Sequence, residues 1–505
     1  MSLKKTLPFI LLCILMVLVS CKRKTGKINP AFQKYIAAFT AGPVSVKDPL
    51  RIRLTSEFVN DDQINIPLDV RYFTFKPSIK GKTVWLDRRT LEFRPDKPLP
   101  AGKTYNAVFH LSKLLPVPDS LTEFSFSFRT MQQDIEVLVE NHKAYTREDL
   151  SKEKLYGKIM TADVADDKAI PGILSATQDG HTLNISWIHD SKKNLHYFQV
   201  DSVRRYDHLS AVKITWNGSA IGAGRKGEQV INIQPLNVFA CTGTRIVQGE
   251  EKYILVQFSD PLLIEQDLNG LISIGKKNDF RYITEDNELR VYPFELKNKT
   301  VTLSVDRAVK NFNGRMLMAA VNERLEFEDT RPAVRFTGPG TIMPVSKQLI
   351  LPFEAVNLRA VDLKIIKIYE NNLLQFLQIN DLDGQSELAR VGKPVLTKTI
   401  PLREVSDYSR WNRFFIDLSE LIKPEEGALY CIRLSIRKSY SVWTCTGNEH
   451  SPENSMVTYG ATGDETKNSW YYYGSYEDDY YSEEEEDYDW RQRDNPCKSY
   501  YYHNK

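Results

Sequence analysis

Cys21 is the residue whose surroundings most clearly predict chemistry. It ends the run Leu18–Cys21, and the apolar stretch Leu7–Val19 precedes it. This pattern is typical of a lipoprotein signal, in which the cysteine thiol is acylated and residues 1–20 are removed as the signal peptide. The apolar stretch of about 13 residues is shorter than the roughly 20 that span a bilayer. We therefore predict that a lipid on Cys21 anchors the chain to a membrane.

The residues after Cys21 predict which membrane the lipid enters. Lys22 stands where aspartate usually directs retention in the inner membrane of diderm bacteria, so we predict an outer membrane lipoprotein. The run Lys22–Lys24 is basic, and no acidic export run follows it. This favours the periplasmic face of the outer membrane over the cell surface.

The other cysteines of the mature chain are candidates for disulfide bonds. Exported proteins meet an oxidising compartment, so Cys241, Cys431, Cys445 and Cys497 allow up to two disulfides. Cys445 and Cys497 bracket an acidic segment, and we predict a disulfide between them that closes its base. Cys431 lies in a strand-like run and is predicted to stay buried and reduced. The absence of C-x-x-C spacing argues against a zinc or thioredoxin-like site.

Histidines and acidic residues suggest metal chemistry only weakly. The spacings between His181, His189 and His196 straddle several turns or strands, so we interpret them as surface or turn residues and predict no metal site. The acidic run 483–487 lacks the glycine-containing loop that spaces calcium ligands. Protease, hydrolase and P-loop motifs are absent from the sequence. We expect no enzymatic activity and no cofactor.

A glycine run at Gly222, Gly224 and Gly227 matches the dinucleotide pattern G-x-G-x-x-G. That function requires a helix after the glycines, because the phosphate binds at the helix N-terminus. The following residues 229–233 alternate like a strand instead. We therefore reject nucleotide binding.

Length and composition describe a folded chain of several domains. A chain of 505 residues is too long for one core, and 11% aromatic with 42% apolar residues is typical of folded proteins. The net charge of +2 conceals an acidic C-terminal part, because residues 450–505 hold 13 acidic and 5 basic side chains. The basic residues elsewhere are scattered, so we predict no nucleic-acid partner.

Most of the mature chain has the period-two pattern of short β-strands, clearest in Glu123–Phe128. Turn residues separate the strands at the spacing expected of β-sandwiches. One helical stripe, at Tyr369, Leu373, Phe376 and Leu377, predicts a short helix near 369–379. The predicted fold is mainly β, with tandem immunoglobulin-like sandwiches.

The chain also repeats itself. The strands Thr90–Pro95 and Glu288–Pro293 both end in proline, and each is followed by a Lys-Thr strand start. We predict two copies of one immunoglobulin-like domain, each followed by a different β domain. The predicted order begins with a lipidated tether (21–45), a first immunoglobulin-like domain (46–131) and a second β domain (132–237). The repeated immunoglobulin-like domain (238–330), a fourth β domain (331–447) and an acidic, tyrosine-rich disordered segment (448–505) follow.

Long segments of the fourth domain resemble a macroglobulin domain of bacterial alpha-2-macroglobulins, most closely the lipoprotein forms of the Bacteroidetes group. The segments are Ile368–Asn372, Phe376–Asn380, Asp383–Gly384, Leu388–Gly392 and Lys398–Leu402. The first domain also resembles the N-terminal domain of that family. Asp489-Trp490 and Asn495–Cys497 look like the acidic insertion of its members. The resemblance implies that the second and fourth domains are macroglobulin-like.

The resemblance also implies a function. Family members trap proteases through a bait region, and some attach covalently through a Cys-x-Glu-Gln thioester, but no cysteine of this chain is followed by x-Glu-Gln. We therefore expect a membrane-anchoring N-terminal arm of an alpha-2-macroglobulin-like endopeptidase inhibitor that does not inhibit alone. Its partners would be proteases and the remaining macroglobulin domains. The alternative is a stand-alone envelope lipoprotein of tandem immunoglobulin-like domains that binds a glycan or a partner protein.

Overall fold

A computed structural model describes residues 29–248, 251–275, 279–294, 300–337, 349–377, 388, 392–423, 425, 427–445 and 488–502. The predicted fold class is confirmed: the described chain is mainly β, and its strands form pairs of packed sheets. Within these ranges, no helix has the length and hydrophobicity needed to cross a membrane. Cys21 lies outside the described residues.

The first β-sandwich begins close to the described N-terminus. Its strands are β1 (Ile36–Phe39), β2 (Gly42–Val44), β3 (Leu50–Leu54), β4 (Pro67–Leu68), β5 (Phe73–Lys76), β6 (Gly81–Trp85), β7 (Thr90–Pro95), β8 (Thr104–His110) and β9 (Glu123–Thr130). One sheet has the order β1-β3-β7-β6-β4 and the other β2-β9-β8-β5. In β9 the side chains of Phe124, Phe126 and Phe128 are buried between the sheets, as the period-two pattern predicts.

The second β-sandwich consists of two four-stranded antiparallel sheets. Its strands are β10 (Ile135–Ala144), β11 (Lys152–Thr161), β12 (Leu174–Gln178), β13 (His181–Thr182), β14 (Ile185–Asp190), β15 (Leu195–Arg204), β16 (Ser210–Asn217) and β17 (Lys226–Ile233). The sheet orders are β10-β11-β15-β14 and β13-β12-β16-β17. Leu155 and Phe198 from one sheet pack with Val212 and Ile214 from the other in a single core.

The third β-sandwich repeats strand pairings of the first. Its strands are β18 (Cys241–Gln248), β19 (Lys252–Phe258), β20 (Ile272–Ile274), β21 (Phe280–Glu285), β22 (Glu288–Pro293), β23 (Thr300–Val305) and β24 (Val321–Glu326). The pair β19–β22 corresponds to β3–β7, and β23–β24 corresponds to β8–β9. The strands that the sequence repeat matches therefore pair alike in the two sandwiches.

The fourth β-sandwich pairs two three-stranded sheets. Its strands are β25 (Ala333–Phe336), β26 (Ile350–Val356), β27 (Ala360–Ile368), β28 (Gly392–Pro401), β29 (Asn412–Asp417) and β30 (Leu429–Ser435). The sheet orders are β25-β26-β29 and β28-β27-β30. The central strand β27 is buried along almost its whole length, which explains its continuous apolar sequence.

In the described residues, helical structure is limited to short segments outside the strands. The α-helix α1 (Leu373–Leu377) lies within the predicted span 369–379, and Phe376 on it is buried against Ile366 and Ile368. The 3₁₀-helices are Pro30–Lys34, Asp61–Gln63, Leu111–Lys113, Asp119–Leu121, Ile170–Ile173, Gly218–Ile221, Glu370–Asn372, Leu418–Glu420, Lys438–Tyr440, Trp490–Gln492 and Ser499–Tyr501.

Two predicted boundaries differ from the structure. The tether predicted over 21–45 is too long, because Ile36 and Val44 are buried in the first core and their strands pair with β3 and β9. The disordered segment predicted over 448–505 extends too far, because residues 488–502 pack against the fourth sandwich and bury aromatic side chains there. Residues 448–487 of that segment lie outside the described part of the chain.

A buried carboxylate joins the first and second sandwiches. Asp163, 3% exposed, accepts hydrogen bonds from Ser45 Oγ at 2.6 Å and from the backbone N–H of Val46 at 2.8 Å. The side-chain amide of Gln133 exchanges hydrogen bonds of 3.1 Å with the backbone of Asp163. These bonds satisfy a charge that is costly to bury alone, so they favour one arrangement of the joint.

The side chain of Arg205 binds the linker between the second and third sandwiches. It directly follows β15, and its side chain is fully buried. Its guanidinium donates to the backbone carbonyls of Gln234, Pro235 and Val238 at 3.0, 3.0 and 3.3 Å. One side chain therefore holds the linker at three positions.

The same guanidinium pairs with a carboxylate from each sandwich. Arg205 Nη1 donates to Asp260 of the third sandwich at 2.7 Å, and Arg205 Nε lies 3.4 Å from Glu153 of the second. Each carboxylate has a further partner, because Asn311 donates to Asp260 at 2.6 Å and His142 lies 2.6 Å from Glu153. The interface is thus a buried ionic network that needs both sandwiches to be complete.

We expect Arg205→Met to destabilise the chain by about 3–5 kcal/mol, because it leaves two buried carboxylates without their cation. Thermal unfolding followed by circular dichroism would measure the loss. The matched control is Arg410→Met, which breaks an exposed pair with Asp407 and should change stability by less than about 1 kcal/mol. An equal effect of both variants would contradict the interpretation.

A cluster of basic side chains lies on the fourth sandwich. Lys364 on β27 is opposite Arg433 on β30. Burial, together with the positive charges of Arg433 and Arg53, lowers the pKa of Lys364 to about 8. Arg53 belongs to β3, so this face of the fourth sandwich lies within electrostatic range of the first.

We expect Lys364→Met to stabilise the chain by about 1–3 kcal/mol at pH 7 and by less than half as much at pH 10. The unfolded lysine titrates near 10.5 and the folded one near 8, so the unfolded chain binds an extra proton between these values. The unfavourable contribution of Lys364 to the free energy of folding is therefore complete below pH 8 and disappears as the pH rises towards 10.5. Unfolding temperatures of variant and wild type at both pH values would measure it, and a gain independent of pH would contradict it.

Candidate functional site

A disulfide bond joins Cys445, which follows the fourth sandwich, to Cys497 near the C-terminus. Their Cα atoms are 5.8 Å apart, and 52 positions separate them in sequence. These are the two cysteines that bracket residues 446–487, so the bond closes the base of that insertion. Cys241 and Cys431 are free thiols, and burial raises the pKa of Cys241 to about 11. At neutral pH Cys241 is therefore a thiol rather than a reactive thiolate.

The C-terminal segment, residues 488–502, forms part of the fourth sandwich. Tyr501 and Tyr502 are buried in the same cluster as Phe353 and Leu363. The hydroxyl of Tyr501 donates to the backbone carbonyl of Pro332 at 2.8 Å. Buried apolar surface and a satisfied hydroxyl together hold this segment in place.

The C-terminal segment also reaches the second sandwich. Arg491 donates to Asp134 at 2.8 Å, and Arg493 donates to Glu136 at 2.6 Å, across 357 positions of sequence in both cases. Burial acts to raise the pKa of Asp134, but the hydrogen bond from Arg491 and the charge of Arg225 lower it overall. The C-terminal segment therefore connects the fourth sandwich directly to the second, past the third. We call residues 488–502 the strap.

A groove of about 510 Å³ lies where this strap meets the third and fourth sandwiches. Its lining residues are Glu326, Phe327, Glu328, Asp329, Arg331, Trp443, Arg491, Gln492, Asp494, Asn495 and Pro496. Carboxylates, guanidinium groups, amides and an indole ring can hydrogen-bond and stack against a polar ligand. Such a mixture of charged, polar and aromatic groups is typical of a ligand-binding surface.

The structure separates the three histidines that the sequence analysis grouped. His181 is exposed on β13, whereas His189 and His196 face each other on β14 and β15. The interpretation of His196 as a surface or turn residue is wrong, because it is 1% exposed. Burial lowers the pKa of His196, and the charge of His189 lowers it further, while Asp167 opposes both.

Sequence reasoning missed this pair for a physical reason. A separation of seven residues matches two strands that pair across a turn, but the same spacing is common where no contact forms. Asp167 comes from a separate loop, and no spacing in the sequence connects it to the histidines.

The glycine run lies in the loop between β16 and β17. The Asn217-Gly218 dipeptide begins a 3₁₀-helix, and Gly222 ends it with a left-handed φ of 79°. Gly227 already belongs to β17, where a Cβ would contact the ring of Trp216 at 2.5 Å. A strand follows the glycines, as the sequence analysis predicted. The acidic run 483–487 lies outside the described residues.

No family model matches the chain, and no curated protein sequence is significantly similar to it. Among solved structures, it is similar to Escherichia coli alpha-2-macroglobulin spanning domains MG0, NIE and MG1, with 22% identity and a TM-score of 0.23 over 37% of this chain and 62% of that one. The chain thus covers less than two thirds of the Escherichia coli fragment.

Two other solved structures extend the comparison. SGBP-B of the Bacteroides ovatus mixed-linkage glucan utilization locus, in complex with a mixed-linkage heptasaccharide, has 10% identity and a TM-score of 0.19 over 78% of this chain and 92% of its own. The mouse nectin-like molecule 4 ectodomain, Ig1–Ig3, has 11% identity and a TM-score of 0.18 over 57% of this chain and 98% of its own. Similarity at this level concerns the fold alone.

The disulfide has a direct topological consequence. If a site-specific protease sequence is inserted after Gly460, the nicked chain should migrate as one species on a non-reducing gel, and reduction should release a C-terminal fragment. Cys497→Ser is the control and should release the fragment without reductant. Separation of the wild-type fragments without reductant would contradict the pairing.

Proposed function

We propose that this chain is the membrane-anchoring N-terminal arm of an alpha-2-macroglobulin-like endopeptidase inhibitor. Its lipidated Cys21 would hold it at the periplasmic face of the outer membrane. The observation that carries the proposal is the way in which the sandwiches are joined. Buried charges at Asp163 and Arg205 link successive sandwiches, and the contacts of Arg491 and Arg493 link the fourth sandwich to the second.

Such joints suit an anchor. A lipid fixes only one end of the chain, so the position of the distant end depends on every joint between them. Buried ionic contacts restrict those joints because a rotated domain would leave charges unpaired. An arm built in this way presents whatever it carries at a defined distance from the membrane.

The arm is not proposed to inhibit proteases alone. Covalent capture in the family requires a Cys-x-Glu-Gln thioester, and no cysteine in the sequence has that context. The lining of the groove offers polar and aromatic groups suited to binding. We propose no enzymatic activity.

The groove favours a second candidate function, a lipoprotein that binds a glycan or a partner protein. Trp443 offers a ring for stacking, and Arg331 and Asn495 offer hydrogen-bond donors beside it. Sugars are bound by this combination of an aromatic face and polar groups. On this alternative the groove, rather than the joints, would be the functional feature.

Anchoring is tested by Cys21→Ala, which should move the full chain from the membrane to the soluble periplasmic fraction, because one lipidated residue supplies the proposed attachment. Fractionation with labelling by radioactive palmitate measures both effects. Cys13→Ala is a matched control, because that cysteine lies in the predicted signal and should leave attachment and labelling unchanged. Membrane retention of Cys21→Ala would contradict the prediction.

The two candidate functions are separated by a protease assay and a glycan assay. Membranes from cells that carry the natural locus should retain an added endopeptidase and block its action on large but not small substrates, and the isolated chain should do neither. Inhibition by the isolated chain, or none by the membranes, would contradict the arm proposal. Saturable binding of a polysaccharide that Trp443→Ala abolishes would favour the alternative.

A further inference from the structure

A cross-strand histidine pair lies at one end of the second sandwich. β14 and β15 form a hairpin in which His189 and His196 occupy directly opposed positions. Their Nδ1 atoms are 2.9 Å apart, and Asp167 Oδ1 lies 3.8 Å from Nδ1 of His196. One potential ligand atom from each of the three residues lies within 4.8 Å of the others.

Neighbouring residues hold these three side chains in position. Ser191, in the hairpin turn, donates its hydroxyl to the Asp167 carboxylate, with distances of 2.9 and 2.8 Å to the two oxygens. The ring of Trp187 stacks on His189 with an interplanar angle of 9°. The serine orients the carboxylate and the indole orients the imidazole, as outer contacts do in metal sites.

The cluster is closed towards the core and open towards solvent. His196 is almost fully buried, whereas the side chain of Asp167 is 45% exposed. Within the described part of the chain, His196 Nε2 is buried without a hydrogen-bond partner, and its Nδ1 lies near Nδ1 of His189 and Oδ1 of Asp167. A buried imidazole is usually better satisfied than this. The two facing Nδ1 atoms can share one proton as an N–H···N hydrogen bond, and a metal ion bound to both nitrogens would take the place of that proton.

We infer that Asp167, His189 and His196 bind a divalent transition-metal ion of the zinc class. Two imidazole nitrogens and one carboxylate oxygen are a ligand set that zinc accepts, with water in the fourth position. Bonds of about 2.0 Å in a tetrahedron place ligand atoms about 3.3 Å apart, and the two distances above lie on either side of that value. Calcium and magnesium prefer oxygen ligands, so they suit this site poorly.

This inference is independent of the proposed function, because it concerns one end of the second sandwich and neither the anchor nor the groove. A bound ion would tie the loop of Asp167 to the β14–β15 hairpin. Metal binding should therefore stabilise the second sandwich.

The test uses the full chain, freed of metal with a chelator and titrated with Zn²⁺ in excess Ca²⁺. The excess Ca²⁺ competes for any weak attraction of cations to carboxylates, such as those of the acidic run 483–487. Calorimetry should report one Zn²⁺ per chain and a raised unfolding temperature, and Co²⁺ should give visible absorption bands of a tetrahedral complex. His189→Ala should weaken Zn²⁺ binding at least 100-fold and Asp167→Asn at least tenfold.

His208→Ala is the matched control, because His208 forms an exposed pair with Asp207 at 2.9 Å and should leave Zn²⁺ affinity unchanged. A variant with glutamines and asparagine at 483–487 should also keep the site. Both ligand variants replace side chains that are partly exposed, so they should fold, and circular dichroism checks this. Absence of saturable Zn²⁺ binding, or wild-type affinity in His189→Ala, would overturn the inference.

Discussion

The buried guanidinium of Arg205 is the constraint on which the arrangement of the central domains depends. A fully buried charge is stable only when partners surround it. Here those partners come from the second sandwich, the linker and the third sandwich, through Glu153, three carbonyls and Asp260. No single domain can satisfy the network. Docking of the two sandwiches and burial of the charge are therefore one event.

The strap formed by residues 488–502 depends on that docking. Arg491 and Arg493 can reach Asp134 and Glu136 only if the third sandwich holds the second and fourth at the observed separation. The disulfide at Cys497 and the buried Tyr501 fix the other end of the strap. Exposed ion pairs are individually weak, so the apolar anchors and the covalent bond supply most of the attachment.

The two candidate ligand sites arise in different ways. The groove forms where three distant parts of the chain meet, so its lining exists only in the assembled array. The histidine pair needs only one hairpin and one loop of a single sandwich. A change at Arg205 should therefore disturb the groove more than the histidine pair.

The class of fold, the repeated strand pattern and the two cysteines that bracket the acidic insertion could be predicted from the amino-acid sequence. These features are local or depend on order along the chain: Phe124, Phe126 and Phe128 alternate because a strand has two faces. The sequence did not reveal that Ile36 is a core residue, that Trp490 and Tyr501 are buried, or that His196 faces His189. The burial of these side chains and the contact between the histidines depend on which surfaces of the strands and domains pack together. Arg205 lies beside Asp260 and Arg491 beside Asp134 because the domains pack in one arrangement. Local sequence patterns do not specify that packing, so these pairs of distant charges could not be predicted from them.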